Sequence, residues 1–586
     1  MKNLFTLYKR VWRTPLASGL ALLFVVLDVG INLILPYIMK DVVNYAIANK
    51  DLSYALKRSI IMLAIVFVAI ICIVLNNLFS QYVSQKVTEE IRNEAFTKIQ
   101  YLSFNNVDKL TTGRLISTIT SDCNQIQQIL AMSFRILIRA PLFLIGGLIM
   151  AFITSPNLFF IVLVAVPILI IGAGIIMANA SKHFRRVQIE LDTLNNRLLE
   201  NVSAAREIKT FVSEEVELTK FEKVNKDYTD VNIKVGKVMA FADPLISIVT
   251  SLAIAGIIYY GAYLLTGTEP VLEGVGDIMA SISYVNNVLF GLIMVAMLLI
   301  HVSRAEVSAR RINELFLEKI DLINDPNAIV DFELNGEIEF KDVSFAYQDE
   351  ESINENCTLR NINVHIKPNE VVGIIGSTGS GKTTLVQLIP RLYDVTKGEL
   401  LIDGINIKNY DINELRKQIA FVTQESILFS GTISSNIRQG KEDASIDEME
   451  EAATYAAARN FIQERDNQYE SEVLQQGTNL SGGQRQRVSL ARAFVRQPKI
   501  LILDDSTSAV DAKSEALIKD SINKLSKQMT TIIIAQKIST VKDLDKIIVL
   551  NNRGQVDGFG THKELLKTSQ VYREIYNSQF GGVDNE

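Results

Sequence analysis

Apolar residues gather in six long runs in the first half of the chain, at about 16–39, 59–83, 136–154, 158–180, 241–266 and 277–302. A membrane-spanning helix takes about 20 such residues, so each run predicts one span. Only Ser155-Pro156-Asn157 separates the third run from the fourth, which predicts a tight hairpin. Two polar stretches of helical spacing, 84–130 and 181–238, adjoin the spans and read as their continuation into water as a stalk. Both are rich in Lys and Arg, whereas the loop 267–276 carries Glu269 and Glu273 and no base. The positive-inside rule then puts the termini and both stretches in the cytoplasm. Lys40, Lys50, Lys57 and Arg58, in the loop 40–58, run against that pattern. No small-residue cleavage site follows the first run, which predicts a retained span rather than a signal peptide.

The pattern changes after about 302. Ser303–Phe316 remains helical and charged on one face, and Asp325-Pro326-Asn327 ends it. The alternation Glu337-Ile338-Glu339-Phe340 opens a strand, and Val371–Ile375 and Ile500–Leu503 read as buried strands. The predicted architecture is an α-helical membrane domain over 1–316, a linker over 317–335 and an α/β domain over 336–586. The insert Gln348–Cys357 reads as a polar loop.

Composition adds exclusions. A net charge of −6 over 586 residues argues against a nucleic-acid partner. Cys72, Cys123 and Cys357 are scattered, without metal or redox spacing. Polar groups inside the spans are costly in hydrocarbon. Asp28, Asn286 and Asn287 therefore either line a polar cavity and touch substrate, or bond between helices or snorkel, and Arg139, near the inner end of the third span, is open to the same readings. Pro141 and Pro244 start or kink helices. Phe104–Thr112, bounded by Gly113, and Arg206–Glu214, in the turn region of the second polar stretch, read either as short helices that dock on the α/β domain or as plain turns.

The chemistry lies in the second half. Gly376-Ser377-Thr378-Gly379-Ser380-Gly381-Lys382-Thr383-Thr384 follows an apolar strand and leads into a helix. Strand, G-x-x-x-x-G-K-T and helix is a phosphate loop, whose backbone N–H groups turn inward around a β-phosphate. Lys382 would reach the β- and γ-phosphates, and the Thr383 hydroxyl would ligate Mg²⁺. Leu480-Ser481-Gly482-Gly483-Gln484 is a second glycine loop before a second helix, hence a second anion site. One chain rarely aims two such loops at one phosphate, so two chains are expected to sandwich each nucleotide. Asp504 ends a buried strand and is the expected Mg²⁺ partner. Asp505, Ser508, Asp511 and Gln536 follow it. Gln424 ends another apolar run, where its amide could reach Mg²⁺ and a water, and Tyr347 could stack on adenine.

Phosphate loop, LSGGQ and strand-Asp in this order resemble the ATP-binding-cassette (ABC) transporter family. Six spans ahead of one such domain resemble a half-size exporter, and the likeness covers essentially the whole chain. It implies ATP and Mg²⁺ as cofactors, a lipid bilayer and a second half-transporter as partners, and a multi-pass place in the cell membrane with the cassette in the cytoplasm. It also implies a domain-swapped dimer with 104–112 and 206–214 as coupling helices. Tyr347 then stacks on adenine, Gln424 contacts Mg²⁺, and Ser481 and Gly483 close on the γ-phosphate held by the other chain.

Three positions depart from the family pattern. Asp505 stands where the family has Glu, the base for the attacking water. A base must lie within about 2.6–3.2 Å of its proton, and a misplacement of about one C–C bond could cost on the order of 10²-fold. Gln536 stands where the family has His; it can donate a hydrogen bond but cannot carry charge. Gln475 stands near where the family has an acid. Binding groups are kept and hydrolytic groups altered. The expectation is thus a degenerate, weakly hydrolytic half-site in a heterodimer, whose partner keeps Glu and His and has an altered signature loop. A homodimer using Asp505 as base, and a nucleotide-gated regulator without a transported substrate, are the alternatives. The expected substrate is a small amphiphile such as a drug, lipid or peptide.

Overall fold

A computed structural model describes residues 2–47, 49–266, 272, 274–347, 357–506 and 510–580. Glu269, Glu273, Ser508 and residues 348–356 of the polar insert lie outside the described residues. The chain divides into two units, Met1–Gln100 with Gly113–Glu318, and Tyr101–Thr112 with Lys319–Glu586.

Among the described residues of the first unit, six helices are long and apolar enough to cross a membrane: Pro15–Ile47, Leu52–Gln100, Thr112–Thr154, Pro156–Ser203, Glu214–Thr266 and Val275–Val295. Leu52–Gln100 is continuous over 49 residues. At 1.5 Å per residue that is about 74 Å, more than twice a hydrocarbon core, so it carries its polar half out of the bilayer. Ser155 alone joins Thr154 to Pro156, as the predicted hairpin requires. Pro141 and Pro244 sit in the first turns of Arg139–Thr154 and Ala242–Thr266, where a missing N–H costs nothing.

Polar side chains tie these helices together. Asn76 Nδ2 donates to the Ala21 and Phe134 carbonyls at 2.8 and 3.3 Å. Small residues bring two helices close: a Cβ at Gly147 would fall 2.8 Å from Val288 Cγ2. Lys40 pairs with Asp277 at 2.9 Å and Arg58 with Asp41 at 3.0 Å, so two bases that ran against the positive-inside pattern are neutralised.

Asp28 faces protein rather than open space. It is 2 % exposed, its Oδ2 lies 2.7 Å from Arg139, and its Oδ1 accepts from Asn32 at 3.0 Å. Arg139 also covers the Phe143 ring. The inter-helix reading of Asp28 therefore describes it, because a carboxylate in hydrocarbon is tolerated only when paired. Arg139→Ala leaves that charge buried without its cation, and is expected to destabilise the protein by about 3–5 kcal/mol. A lowered thermal midpoint in detergent, largely restored in Arg139→Lys, checks this. Asn286 is exposed and Asn287 half-buried on the helix Val275–Leu317.

Among the described residues the second unit holds three sheets, one of them only the pair Gly431–Thr432 with Glu472–Val473. Six strands run in the order Val556–Gly560, Lys546–Leu550, Val371–Gly376, Thr530–Ile534, Ile500–Asp504, Ile419–Val422, parallel except for the first pair. Ile500–Asp504 is buried at every position, as an unbroken apolar run in a parallel sheet should be. A four-stranded antiparallel sheet orders Leu359–Ile366, Ile338–Phe345, Lys397–Ile402 and Ile405–Asn406. The helices Ile433–Arg438, Ile446–Tyr455 and Gly482–Phe494 build a separate core around Ile437, Met449, Ala453, Val488 and Phe494.

The short helix Phe104–Leu110 belongs to this second unit, although the sequence places it amid the spans. Ser103 caps it, Tyr393 donates to Asp108 Oδ2 at 2.8 Å, and Phe104 packs on the Tyr393 ring. Burial, then the Asp108 carboxylate, push the Tyr393 phenol well above its ordinary pKa.

Candidate functional site

Parallel register brings the chemistry to one edge. Ile534 pairs with Asp504 on one side and with Ile374 on the other, so the carboxyl ends of three adjacent strands coincide. Ligands of open α/β sheets bind at such an edge. There the chain delivers the phosphate loop after Ile375, Asp504 and Asp505 after Leu503, and Gln536 after Ala535.

Gly379 and Gly381 hold the loop open with φ of +82° and +89°, a region open to glycine and unfavourable to other residues. Lys382 folds back across it, its Nζ 3.0 Å from the Gly376 carbonyl and 2.8 Å from that of Ser377. Burial lowers the Lys382 pKa, and Asp504 and Asp505 counter that. Thr383 hydrogen-bonds the Asp504 carboxylate. Burial raises the Asp504 pKa, and Thr383 opposes the rise. Ser380 Oγ is buried without a hydrogen-bond partner inside the loop, and the Ser377 hydroxyl bonds Asn552. A hydroxyl beside a carboxylate is the oxygen donor set that Mg²⁺ takes alongside phosphate oxygens. The half-buried lysine and the orphaned Ser380 hydroxyl fit a bound polyphosphate.

Asp505 has φ of +47°, and its Oδ2 accepts from Gln536 Nε2 at 2.8 Å. Burial pushes this carboxyl up, while Gln536, Lys382 and Lys537 pull it back. The two departures from the family pattern are thus hydrogen-bonded to each other. Tyr347, 40 % exposed, donates or accepts at 2.8 Å with Thr384 Oγ1 and reaches Gln387 at 3.3 Å. It stands edge-on to Phe345 and Tyr393. Asn552 carries no motif, and only the folded chain brings it to the loop.

Ser481 and Asp511 stand at helix starts. Ser481 caps the helix Gly482–Phe494, its Oγ accepting from Gln484 N at 3.2 Å while Gln484 Oε1 accepts from Ser481 N at 3.1 Å. Ser481 is exposed, and Gly482 and Gly483 are half-exposed, so the first turn of this helix reaches the surface. Gln424 is exposed beyond the strand Ile419–Val422. Asp511 caps Ala512–Leu525 by accepting from Ser514 N at 3.0 Å, and its pKa is lowered by Ser514. That gives it a structural task at the helix start.

Comparison with known proteins agrees with this arrangement. A family profile for the ABC transporter transmembrane region matches residues 18–293, and one for the ABC transporter matches residues 359–508. The chain is 36 % identical to YfiB, an uncharacterized ABC transporter ATP-binding protein of Bacillus subtilis, over 97 % of this chain and 98 % of that one. It is 31 % identical to an ATP-dependent lipid A-core flippase of Syntrophus aciditrophicus, over 88 % and 85 % of the two chains. A solved structure of a bacterial Atm1-family ABC exporter with ATP bound superposes with a TM-score of 0.79 at 25 % identity, covering 96 % of this chain and 97 % of that one.

Proposed function

Given that this chain belongs to the ABC transporter family, as a half-size exporter with its transmembrane region fused to one ATP-binding cassette, we propose that it is the degenerate-site subunit of a heterodimer. Its own Lys382, Thr383, Asp504 and Tyr347 hold Mg·ATP, and its Ser481–Gln484 loop completes the partner's competent site. Closure on ATP at both sites turns the membrane cavity outward, and hydrolysis in the partner resets it.

The observation that carries this reading is the 2.8 Å bond between Gln536 and Asp505. A general base must be free to take a proton from water. Here the shortened acid accepts one of the two N–H groups of a neutral amide that cannot carry charge, while the groups that grip phosphate are intact. The transported class is a small amphiphile. Apolar spans whose Asp28 is already neutralised support that choice, as does a relative named for flipping a lipid. Asn286 and Asn287 are the polar contacts offered to it.

Two measurements test the proposal. The chain alone is expected to bind ATP and to turn it over slowly; fast turnover lost in Asp505→Asn would establish the homodimer instead. With the partner present, Asp505→Glu plus Gln536→His is expected to raise ATPase by less than about threefold, because the partner's site already carries the flux. ATP-dependent uptake into vesicles containing both chains separates a transporter from a regulator.

A further inference from the structure

The last described helix, Gln570–Phe580, reaches back to the nucleotide edge. Gln579 Nε2 donates to the Gln536 carbonyl at 2.8 Å, and Gln579 Oε1 accepts from Ile538 N–H at 2.8 Å. One side-chain amide thus brackets Lys537 as a paired strand would, and fixes the backbone on both sides of it. The loop so held aims the Gln536 amide at Asp505. The helix itself is firmly seated. Tyr572 is fully buried, with its hydroxyl 2.6 Å from His562 Nδ1. It shares one core with Ile375, which precedes the phosphate loop, and with Ala535 and Ile538, which flank the switch.

We propose that Gln579 is a positioning residue for the γ-phosphate switch, and that Gln570–Phe580 is the brace that sets where residue 536 stands. This rests on the reading of Gln536 as the group that meets the γ-phosphate. ADP lacks that phosphate, so the brace acts on ATP alone.

The full-length chain in nanodiscs is titrated with Mg·ATP and, separately, with Mg·ADP. Gln579→Ala is expected to weaken ATP binding by about 3- to 10-fold, the effect of two neutral hydrogen bonds felt indirectly. ADP binding is expected to stay within about 1.5-fold. Gln579→Glu still accepts from Ile538 N–H but cannot donate to the Gln536 carbonyl, and should fall between the two; it also serves if the alanine variant does not fold. Gln536→Ala is the control for the underlying reading and should itself weaken ATP selectively. If Gln536→Ala is selective and neither Gln579 variant is, the brace is refuted while the switch stands. If Gln536→Ala is not selective, the switch reading falls and the brace with it. Equal losses of ATP and ADP in the Gln579 variants would mark a merely structural helix and overturn the proposal.

Discussion

Ser481→Arg is expected to reduce ATP hydrolysis by the assembled pair on the order of 100-fold while leaving ATP binding at this chain's own phosphate loop intact. Ser481 is the N-cap of a helix whose first two residues are glycines. That arrangement offers backbone N–H groups and the positive end of a helix with almost no side chain in the way. An arginine there removes the cap, at about 0.5–2 kcal/mol to this helix, and places a long side chain where a second chain's phosphates must approach. Steady-state ATPase, together with photolabelling of each subunit by an azido-ATP, checks both halves. Ser481→Thr keeps the cap oxygen and should retain most activity. Undiminished hydrolysis by the arginine variant would remove LSGGQ from the active site.

Lys382→Ala should have the converse effect, abolishing nucleotide labelling of this chain alone. The ammonium is half-buried, spans two loop carbonyls and counters Asp504 and Asp505. A charge-assisted hydrogen bond contributes about 1.5–3 kcal/mol, which corresponds to about 10- to 100-fold in ATP affinity. Its removal also leaves two neighbouring carboxylates facing a polyanion without their nearby cation. Titration calorimetry on the full-length chain measures the loss. Retained micromolar binding would mean that the loop does not hold the triphosphate.

The parts of this protein that follow from contiguous sequence were legible. Gly376–Thr384 and Leu480–Gln484 set their own backbone shape, and six apolar runs of span length can form little but membrane helices. Residues whose role depends on distant partners were not. Asp28 reads equally as a cavity group or an inter-helix bond, because its mate, Arg139, belongs to another helix. The cap bond that Asp511 makes with Ser514 is visible only once the helix start is placed. Gln536 and Asp505 were each recognised as departures, yet nothing in their spacing said that they bond to each other. Gln579 lies in an ordinary amphipathic helix, and only folding brings it to residue 536.

The membership of Tyr101–Thr112 in the second unit has a practical consequence. Phe104 and Asp108 cover the Tyr393 ring and hydroxyl from a part of the polypeptide made long before the cassette. A ribosome therefore finishes this lid first and must hold it waiting until Tyr393 emerges. A cassette expressed alone from residue 319 would have no lid to receive, and would offer a bare aromatic seat to solvent. Supplying residues 101–112 as a separate peptide should shield that seat and raise the fragment's solubility.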